Sequence, residues 1–328
     1  MANLPKDRVE PSPPFMFCGF DCFGPFTVKE GRKELKKYGL LITCMCSRAI
    51  HIEMLDDMTT DCFINALRCF IAIRGPIQQL RSDQGSNFVG ANNEFHEALK
   101  ELDAERVQIF LAKHQCEFIM NAPHASHAGG VWERQIRTVR SVLSSIIHQS
   151  LGRLDTATLR TFLYEAMAIV NSRPLTTTNL HDPLSPEPLT PNHLLTMKST
   201  SALPPPGKFV KEDLYIRKRW RRAQYLAEQF WGRWRKEYLA SLSSRAKWNT
   251  TRRNIKVGDV VLVKDENAPR LEWPMAIVTE TKEDKDHLVR RCKVQIGSKD
   301  LDKQGRRVNK MSVLERPIQK LVLLLESV

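Results

Sequence analysis

Three carboxylates carry the clearest chemical signal in this chain. Asp21 lies inside an apolar run, Asp83 follows another apolar stretch just before a glycine turn, and Glu133 follows a glycine pair. An ionised carboxylate in an apolar strand is costly unless its charge is compensated. Mg²⁺ prefers carboxylate oxygens and keeps waters for a substrate phosphate. Two such ions about 4 Å apart can hold the attacking and leaving oxygens of a phosphodiester exchange. The three acids together therefore predict a metal-dependent phosphoryl-transfer site.

Asp83 and Glu133 each have an ordinary structural explanation as well. The motif SDQG around Asp83 is typical of a turn. Glu133 in the first turn of a helix would be stabilised by the helix dipole, or by an ion pair with Arg137. Neither explanation applies to Asp21, which lies inside a predicted strand. The three acids together therefore indicate a functional site more strongly than any one of them alone.

Alternating strands and helices are predicted to position these acids. Apolar runs bounded by turn residues indicate strands at 15–26, 38–46, 49–55, 77–80 and 116–120. Helical periodicity indicates helices at 61–73, at 94–115 and from residue 131 onward. The pattern favours an α/β domain with Asp21 in a buried strand, Asp83 at a strand end and Glu133 at a helix start.

The motifs around these acids resemble those of a known enzyme family. They are GFDCFGPF at 19–26, LRSDQGSNF at 80–88, APHASHAGGVWERQIRTVRSVL at 122–143 and VNSRPL at 170–175. LTPNHLL at 189–195, RKRWRRAQYLAEQFWGRWRKEYL at 217–239 and VGDVVLVKDENAPRLEWPMAIV at 257–278 extend the likeness over nearly the whole chain. The chain resembles retroviral-type integrases, and among them those of BEL/Pao long-terminal-repeat retrotransposons.

This resemblance implies a fold, a reaction and a metal site. The fold would be an RNase H-like mixed sheet flanked by helices. Asp21, Asp83 and Glu133 would form a D,D,E triad that holds two Mg²⁺ or Mn²⁺ ions. The reaction would be DNA integration, in which the enzyme trims the 3′ ends of element DNA and joins them to target DNA. The resemblance also implies that the chain binds double-stranded DNA and forms a homo-oligomer. It would act in the nucleus after a cytoplasmic phase.

Two features depart from the family pattern. The 49 residues between Asp83 and Glu133 exceed the usual retroviral spacing, and we place the extra length in the helical stretch at 94–115. The family also has an N-terminal His/Cys zinc domain, and no such constellation occurs here. We expect either a segment of a polyprotein or a chain that lost this domain.

Three further residues of the core are expected to contact DNA. Arg137 and Arg140 stand four and seven positions after Glu133 and so share its edge of the helix. The family places basic residues at these positions against the DNA end. His124 lies in the preceding loop, where the family often has an aromatic contact to DNA. A solvated helix face with local ion pairs is the other explanation for the two arginines.

Most of the excess positive charge lies in one segment. The whole chain carries a formal charge of +13, and residues 208–256 hold 15 Lys or Arg against 4 Asp or Glu. So many cations would repel one another without a polyanion, which indicates phosphate contacts. The expected contacts are Arg217, Lys218, Arg219, Arg221 and Arg222. The same segment predicts a helix whose buried stripe contains Trp220, Ala223, Ala227, Phe230, Trp234 and Tyr238.

Short strands after residue 257 predict a small C-terminal SH3-like β-barrel. This barrel would contact either DNA or a protein partner. The predicted domains are an RNase H-like catalytic core at 1–200, a basic aromatic helical linker at 201–252 and the barrel at 253–328.

Composition excludes several classes of protein. Of the 328 residues, 42% are hydrophobic, so the chain can bury cores and is not disordered throughout. No run of about 18 uncharged apolar residues is present, which excludes a membrane span. Eight cysteines without a C-x-x-C pair argue for a reducing compartment.

Two other functions remain open from the sequence. A domesticated, non-catalytic DNA-binding or chromatin-associated protein could retain the fold, and the missing zinc domain favours this alternative. The other is an RNase H-like nuclease without strand transfer. The intact set of three acids favours an enzyme.

Overall fold

The computed structural model describes most of the chain. The described residues are 11–82, 104–113, 116–120, 132–150, 154–176, 188–198, 205–242, 253–265, 268–297 and 311–327. The chain divides into two compact units. One comprises Met1–Asn171, Leu194–Met197 and Pro205–Trp231, and the other comprises Ser172–His193, Lys198–Pro204 and Gly232–Val328.

A five-stranded mixed sheet forms the centre of the first unit. Its strands are β1 (Phe17–Glu30), β2 (Lys33–Cys44), β3 (Ile50–Leu55), β4 (Gln79–Ser82) and β5 (Glu117–Met120), in the spatial order β3-β2-β1-β4-β5. β1, β2 and β3 pair antiparallel, and β4 and β5 run parallel to β1. Gly31, at a positive φ of 63°, lies in the tight turn between β1 and β2, a conformation that glycine adopts without steric cost.

Six α-helices are described in the chain. They are α1 (Thr60–Arg74), α2 (Ala104–Lys113), α3 (Trp132–Gln149), α4 (Thr156–Asn171), α5 (Pro191–Thr196) and α6 (Arg219–Leu242). The Thr59 side chain caps α1 by accepting a hydrogen bond from the Cys62 N–H, and α1 ends at Gly75. A short 3₁₀ turn at Lys211–Leu214 precedes α6.

The side chains of strand β1 pack against helices on both faces of the sheet. Cys18, Phe20 and Cys22 are buried in a core that includes Phe63 and Phe70 of α1. Since successive side chains of a strand point to opposite faces, Asp21 points away from this core. The residues that α3 buries include Ile136, Val139, Leu143 and Ile146, and α3 packs against β1. The sheet thus directs Asp21 to the side on which α3 lies.

The last residue of α4 holds the edge of this sheet. Asn171 is buried, and its Oδ1 accepts a hydrogen bond from the Ile50 N–H at 2.8 Å. Its Nδ2 donates to the Ile50 carbonyl, also at 2.8 Å. A side-chain amide therefore satisfies both backbone groups of an edge residue that would otherwise be available to pair with another strand.

An antiparallel sheet forms the second unit. Its strands are β6 (Val260–Val263), β7 (Met275–Glu283), β8 (Val289–Ile296), β9 (Ser312–Pro317) and β10 (Leu321–Leu325), in the order β10-β6-β7-β8-β9. A core of Val261, Val263, Ala276, Val278 and Val294 lies on one face. Among the described residues, β9 and β10 do not pair with each other, so the closure expected of a barrel is not observed.

The predicted α/β class, with a mixed sheet flanked by helices, is confirmed. All five predicted strands of the first unit are present, although β1 extends to Glu30. Within the predicted helix at 94–115, the structure describes helix at Ala104–Lys113, and residues 94–103 lie outside the described residues. No helix in the described ranges is both long enough and apolar enough to span a membrane.

Candidate functional site

Asp21 is held next to α3 by an ion pair. Arg140 Nη1 donates to Asp21 Oδ2 at 2.6 Å. The two side chains are 27% and 25% exposed, so the pair is accessible from solvent but largely enclosed. Two residues 119 positions apart in the sequence, both predicted to belong to the site, therefore lie in direct contact. Arg140 also supplies the positive charge that a carboxylate in this strand requires.

The strand expected to carry the second acid lies beside β1. Ser82, the last residue of β4, is the register partner of Phe20, which precedes Asp21. Asp83 follows Ser82 in the sequence and lies outside the described residues. His124, the expected DNA contact in the loop before α3, also lies outside them.

The third acid belongs to the first turn of α3. Glu133 is the second residue of this helix, and its side chain is not among those described. Arg140 stands seven positions after it, so the two positions lie on the same face about two turns apart. Arg137 lies between them and is exposed.

A complete metal cluster is not observed in the described part of the chain. No three His, Cys, Asp or Glu side chains there lie close enough together to hold a metal ion. Of the three predicted ligands, only the side chain of Asp21 falls within that part.

The neighbouring thiol lies on the opposite face of β1. Cys22 is buried, and burial, with a further contribution from the Asp21 charge, raises the pKa of its thiol. A thiol whose pKa is raised by burial is a poor nucleophile, so Cys22 adds a packing group rather than a reactive one.

Comparison with known protein families separates the chain into two stretches. The first stretch contains Asp21 and Asp83. Residues 21–126 match the integrase core domain. Residues 218–324 match a family of unknown function (DUF5641), which covers α6 and all but the end of β10. A search of curated proteins found no match.

The solved structures that match this chain include two viral proteins. A simian T-cell lymphotropic virus intasome, in complex with a PP2A regulatory subunit, is 13% identical. It has a TM-score of 0.37 over 99% of this chain and 84% of that chain. The HTLV-2 integrase catalytic core domain, in complex with magnesium in a dimeric form, is also 13% identical. It has a TM-score of 0.35 over 56% of this chain and 97% of that chain.

The basic residues before and in α6 fall into two groups. Arg217 and Lys218 are exposed, as is Arg219, which lies 3.3 Å from Asp155 while 67% of its side chain remains exposed. Arg221 and Arg222 instead form internal ion pairs that are less exposed.

The partners of these two arginines are acidic residues within the same unit. Arg221 donates from Nε and Nη2 to the two carboxylate oxygens of Asp213, at 2.7 and 3.2 Å. Arg222 donates to Asp155 at 3.3 Å and to the Ile216 carbonyl at 2.9 Å. Both arginines are among the predicted phosphate contacts, and neither acidic partner is predicted from the sequence. The spacing Asp213-x₇-Arg221 was a signal for the first pair, but Asp155 is 67 residues away from Arg222.

The predicted apolar stripe of α6 is buried from its second to its fifth residue, whereas Tyr238 at its end is half-buried and stacks on Trp234. Ala223, Ala227, Phe230 and Trp234 are buried. Trp220 is 48% exposed. It is the second residue of the helix, and its ring contacts Phe209 of the preceding segment edge-on.

Proposed function

We propose that this chain is a polynucleotidyl transferase that integrates retrotransposon DNA into target DNA. Its two activities would be 3′-end processing and strand transfer, and its lineage would be the BEL/Pao long-terminal-repeat retrotransposons. The integrase core match to residues 21–126 supports the general activity. The lineage rests on the motif resemblance.

The contact between Asp21 and Arg140 is the observation that carries this proposal. It joins β1 to the helix whose first turn contains the third predicted acid. The parallel pairing of β1 with β4 brings Ser82, the residue before the second predicted acid, beside Phe20. Three segments distant in sequence thus meet around one partly exposed carboxylate, as a site assembled from Asp21, Asp83 and Glu133 requires.

The carboxylate of Asp21 is a suitable ligand for a hard divalent cation. Asp21 pairs with Arg140, and its accessible carboxylate is the kind of ligand that Mg²⁺ selects. Asp21, Asp83 and Glu133 would hold two ions. When bound, the ions would neutralise phosphate charge and lower the pKa of a bound water.

The protein's own residues would position the DNA. Arg137 and Arg140 would contact phosphates of the element end, and Arg217, Lys218 and Arg219 would contact phosphates along the duplex. Positioning and charge neutralisation supply most of the rate in such reactions, because little covalent chemistry falls to the protein. A homo-oligomer acting in the nucleus is part of the same proposal, as is the division into a core at 1–200, a linker at 201–252 and a C-terminal domain at 253–328.

Joining of labelled terminal-repeat oligonucleotides to plasmid DNA tests the function. The purified chain with Mg²⁺ or Mn²⁺ should shorten the 3′ end and transfer it to the plasmid. Cleavage without joining would indicate an RNase H-like nuclease. Duplex binding with neither activity, under either metal, would indicate a non-catalytic DNA-binding protein that retains the fold.

A further inference from the structure

An exposed tryptophan lies among cations at the start of α6. Trp220 is 48% exposed, and Tyr215 just before it is 60% exposed. Arg217, Lys218 and Arg219 lie between them in the sequence, and all three are exposed. We call these five residues the Trp220 patch. What sets these two aromatic side chains apart is their position next to several cations, a combination that proteins use to bind nucleic-acid strands.

The indole is held in a fixed orientation. Its ring meets Phe209 edge-on, with ring centroids 5.9 Å apart and an interplanar angle of 84°. The Arg221 guanidinium lies over the Trp220 ring at 5.6 Å and over the Phe209 ring at 5.3 Å. A ring that is fixed before binding loses little conformational entropy when a ligand stacks on it.

An internal ion pair maintains this arrangement. Arg221 reaches both oxygens of Asp213, which is buried, and also donates to the Lys208 carbonyl at 3.1 Å. Asp213 Oδ2 in turn accepts a hydrogen bond from the Val210 N–H at 2.9 Å. These bonds fix the segment that carries Phe209 against the start of α6. The negative charge of Asp213 is therefore compensated by Arg221 and does not offset the positive charge of the Trp220 patch.

The charge around the ring favours a polyanion. Residues 208–222 contain seven Lys or Arg and two acids. The two acids are Glu212, which is exposed, and Asp213, which is held by Arg221. Asp155, which lies outside this stretch, is 3.3 Å from both Arg219 and Arg222. An apolar protein partner would have to bury Arg217 and Lys218 without compensation, whereas a phosphate backbone would compensate them.

We propose that the Trp220 patch binds unpaired DNA, with a base stacked on the Trp220 indole and phosphates on the neighbouring cations. Every base has a π-face that can stack, and a basic groove with aromatic platforms is the usual means of binding a single strand. The bases of an intact duplex are already stacked on one another, so they offer no free face to Trp220. Frayed or processed DNA ends provide such a strand, and to that extent the inference rests on the proposed function.

Binding of a labelled oligo(dT) and of a blunt duplex to the full chain tests this proposal. Trp220→Ala should weaken oligo(dT) binding roughly fivefold to hundredfold, the range expected for one stacked base. It should change duplex binding less than twofold and leave the salt dependence of both unchanged. Trp220→Phe should retain most of the single-strand affinity, because an aromatic face remains. Ile73→Ala, which truncates a 60% exposed apolar residue on α1, is the matched control and should change neither.

An oligonucleotide of the same length that lacks its bases separates stacking from charge. The wild type should bind it about as weakly as Trp220→Ala binds oligo(dT), and Trp220→Ala should cause no further loss. Equal losses on oligo(dT), duplex and abasic strand would overturn the stacking proposal, as would no loss on any of them. Preferential binding of oligo(rU) would assign the patch to RNA instead. A wild type that binds oligo(dT) but no duplex would contradict the proposed integration function and leave this inference standing.

Discussion

Asp21 illustrates how a single residue connects sequence chemistry to structure. A negative charge in an apolar strand is costly, and the guanidinium of Arg140 compensates the charge of Asp21 by pairing with its carboxylate. Because Asp21 and Arg140 are each about one quarter exposed, the pair is also accessible to a competing ligand. A metal ion arriving at Asp21 would meet a guanidinium already in place.

Removing any of the three predicted ligands should abolish DNA joining. Asp21→Asn, Asp83→Asn and Glu133→Gln each remove one metal ligand, and groups that act as a unit fail together rather than additively. Gel assays of strand transfer would measure the loss, with thermal melting to verify folding. Asp21→Asn also weakens its pair with Arg140, so a small fall in melting temperature is expected for this variant. Joining at the wild-type rate by any one of the three would refute its assignment.

Arg140 should compete with the metal at Asp21. A positive charge 2.6 Å from a ligand oxygen repels a dication, and Arg140→Gln removes this repulsion. We expect the Mn²⁺ concentration that produces half of the thermal stabilisation to fall roughly fivefold, which corresponds to about 1 kcal/mol. Differential scanning fluorimetry over a Mn²⁺ titration would measure it.

Arg137→Gln is the matched control for this experiment. It removes the same charge one turn earlier on α3, from an exposed position, and should leave the Mn²⁺ midpoint unchanged. If the two variants shift the midpoint equally, the effect is one of net charge, and no metal competes with Arg140 at Asp21.

At the scale of elements, strands and helices were more predictable than their ends. Alternating and continuous apolar runs located all five strands of the first unit, since burial imposes these patterns directly. The length of β1 beyond Phe26 was missed because Thr27–Glu30 form a hairpin with β2 over partly polar residues, where pairing replaces burial. The exposure of Trp220 is not predictable in this way. Helical periodicity indicates which face of a helix a residue lies on, but not how far along the helix that face is covered by other parts of the protein.

The second unit depends on a buried carboxylate that the sequence did not single out. The Asp259 side chain is fully buried and accepts two hydrogen bonds from Arg253, at 2.8 Å each. The Lys256 N–H and the N–H and hydroxyl of Ser327 also donate to it. Burial alone would raise the pKa of Asp259, but these hydrogen bonds outweigh it and hold the pKa well below its usual range.

Asp259 should make the second unit sensitive to acid. A folded-state pKa below the unfolded value contributes stability at neutral pH, and this contribution is lost as the pH falls below about 4. Asp259→Asn should lower the free energy of unfolding by roughly 3 kcal/mol at pH 7, and the difference from wild type should narrow at pH 3. Urea unfolding followed by tryptophan fluorescence would measure both.

Asp286→Asn is the control within the same unit. Asp286 pairs with Arg290 on the surface, where ion pairs add little. This variant should therefore unfold like the wild type at both pH values. A constant difference between Asp259→Asn and wild type from pH 7 to pH 3 would show that the carboxylate contributes through shape and not through charge.

At the scale of the whole molecule, the net charge predicts a polyanion partner, but it does not predict which Lys and Arg side chains are exposed and available to contact one. Residues 208–256 hold most of the positive excess. Arg221 and Arg222 use their charge inside the first unit, and Arg235 is buried and donates to backbone carbonyls of the second. Such pairings depend on residues brought together by folding, so composition cannot reveal them. The buried Phe230 and Trp234 also show that α6 is a core element, which cannot be deleted to test DNA binding.

Point substitutions at exposed cations should instead change the salt dependence of DNA binding. Arg217 and Lys218 are exposed, and each phosphate contact releases counterions when it forms. The double variant Arg217→Gln/Lys218→Gln should reduce the slope of log K against log salt by roughly 0.9 for each lost contact on duplex DNA. Fluorescence anisotropy from low to physiological salt would measure the slope.

The β1–β2 turn offers a control with the same change in charge. Arg32 and Lys33 are also adjacent and exposed, and Arg32→Gln/Lys33→Gln should leave the slope nearly unchanged. Arg221→Gln/Arg222→Gln should lower the melting temperature and keep the slope, because these two side chains are bound to Asp213 and Asp155. Equal reductions of the slope by the first two double variants would mean that DNA responds to net charge alone. The segment before α6 would then not be a DNA-binding surface.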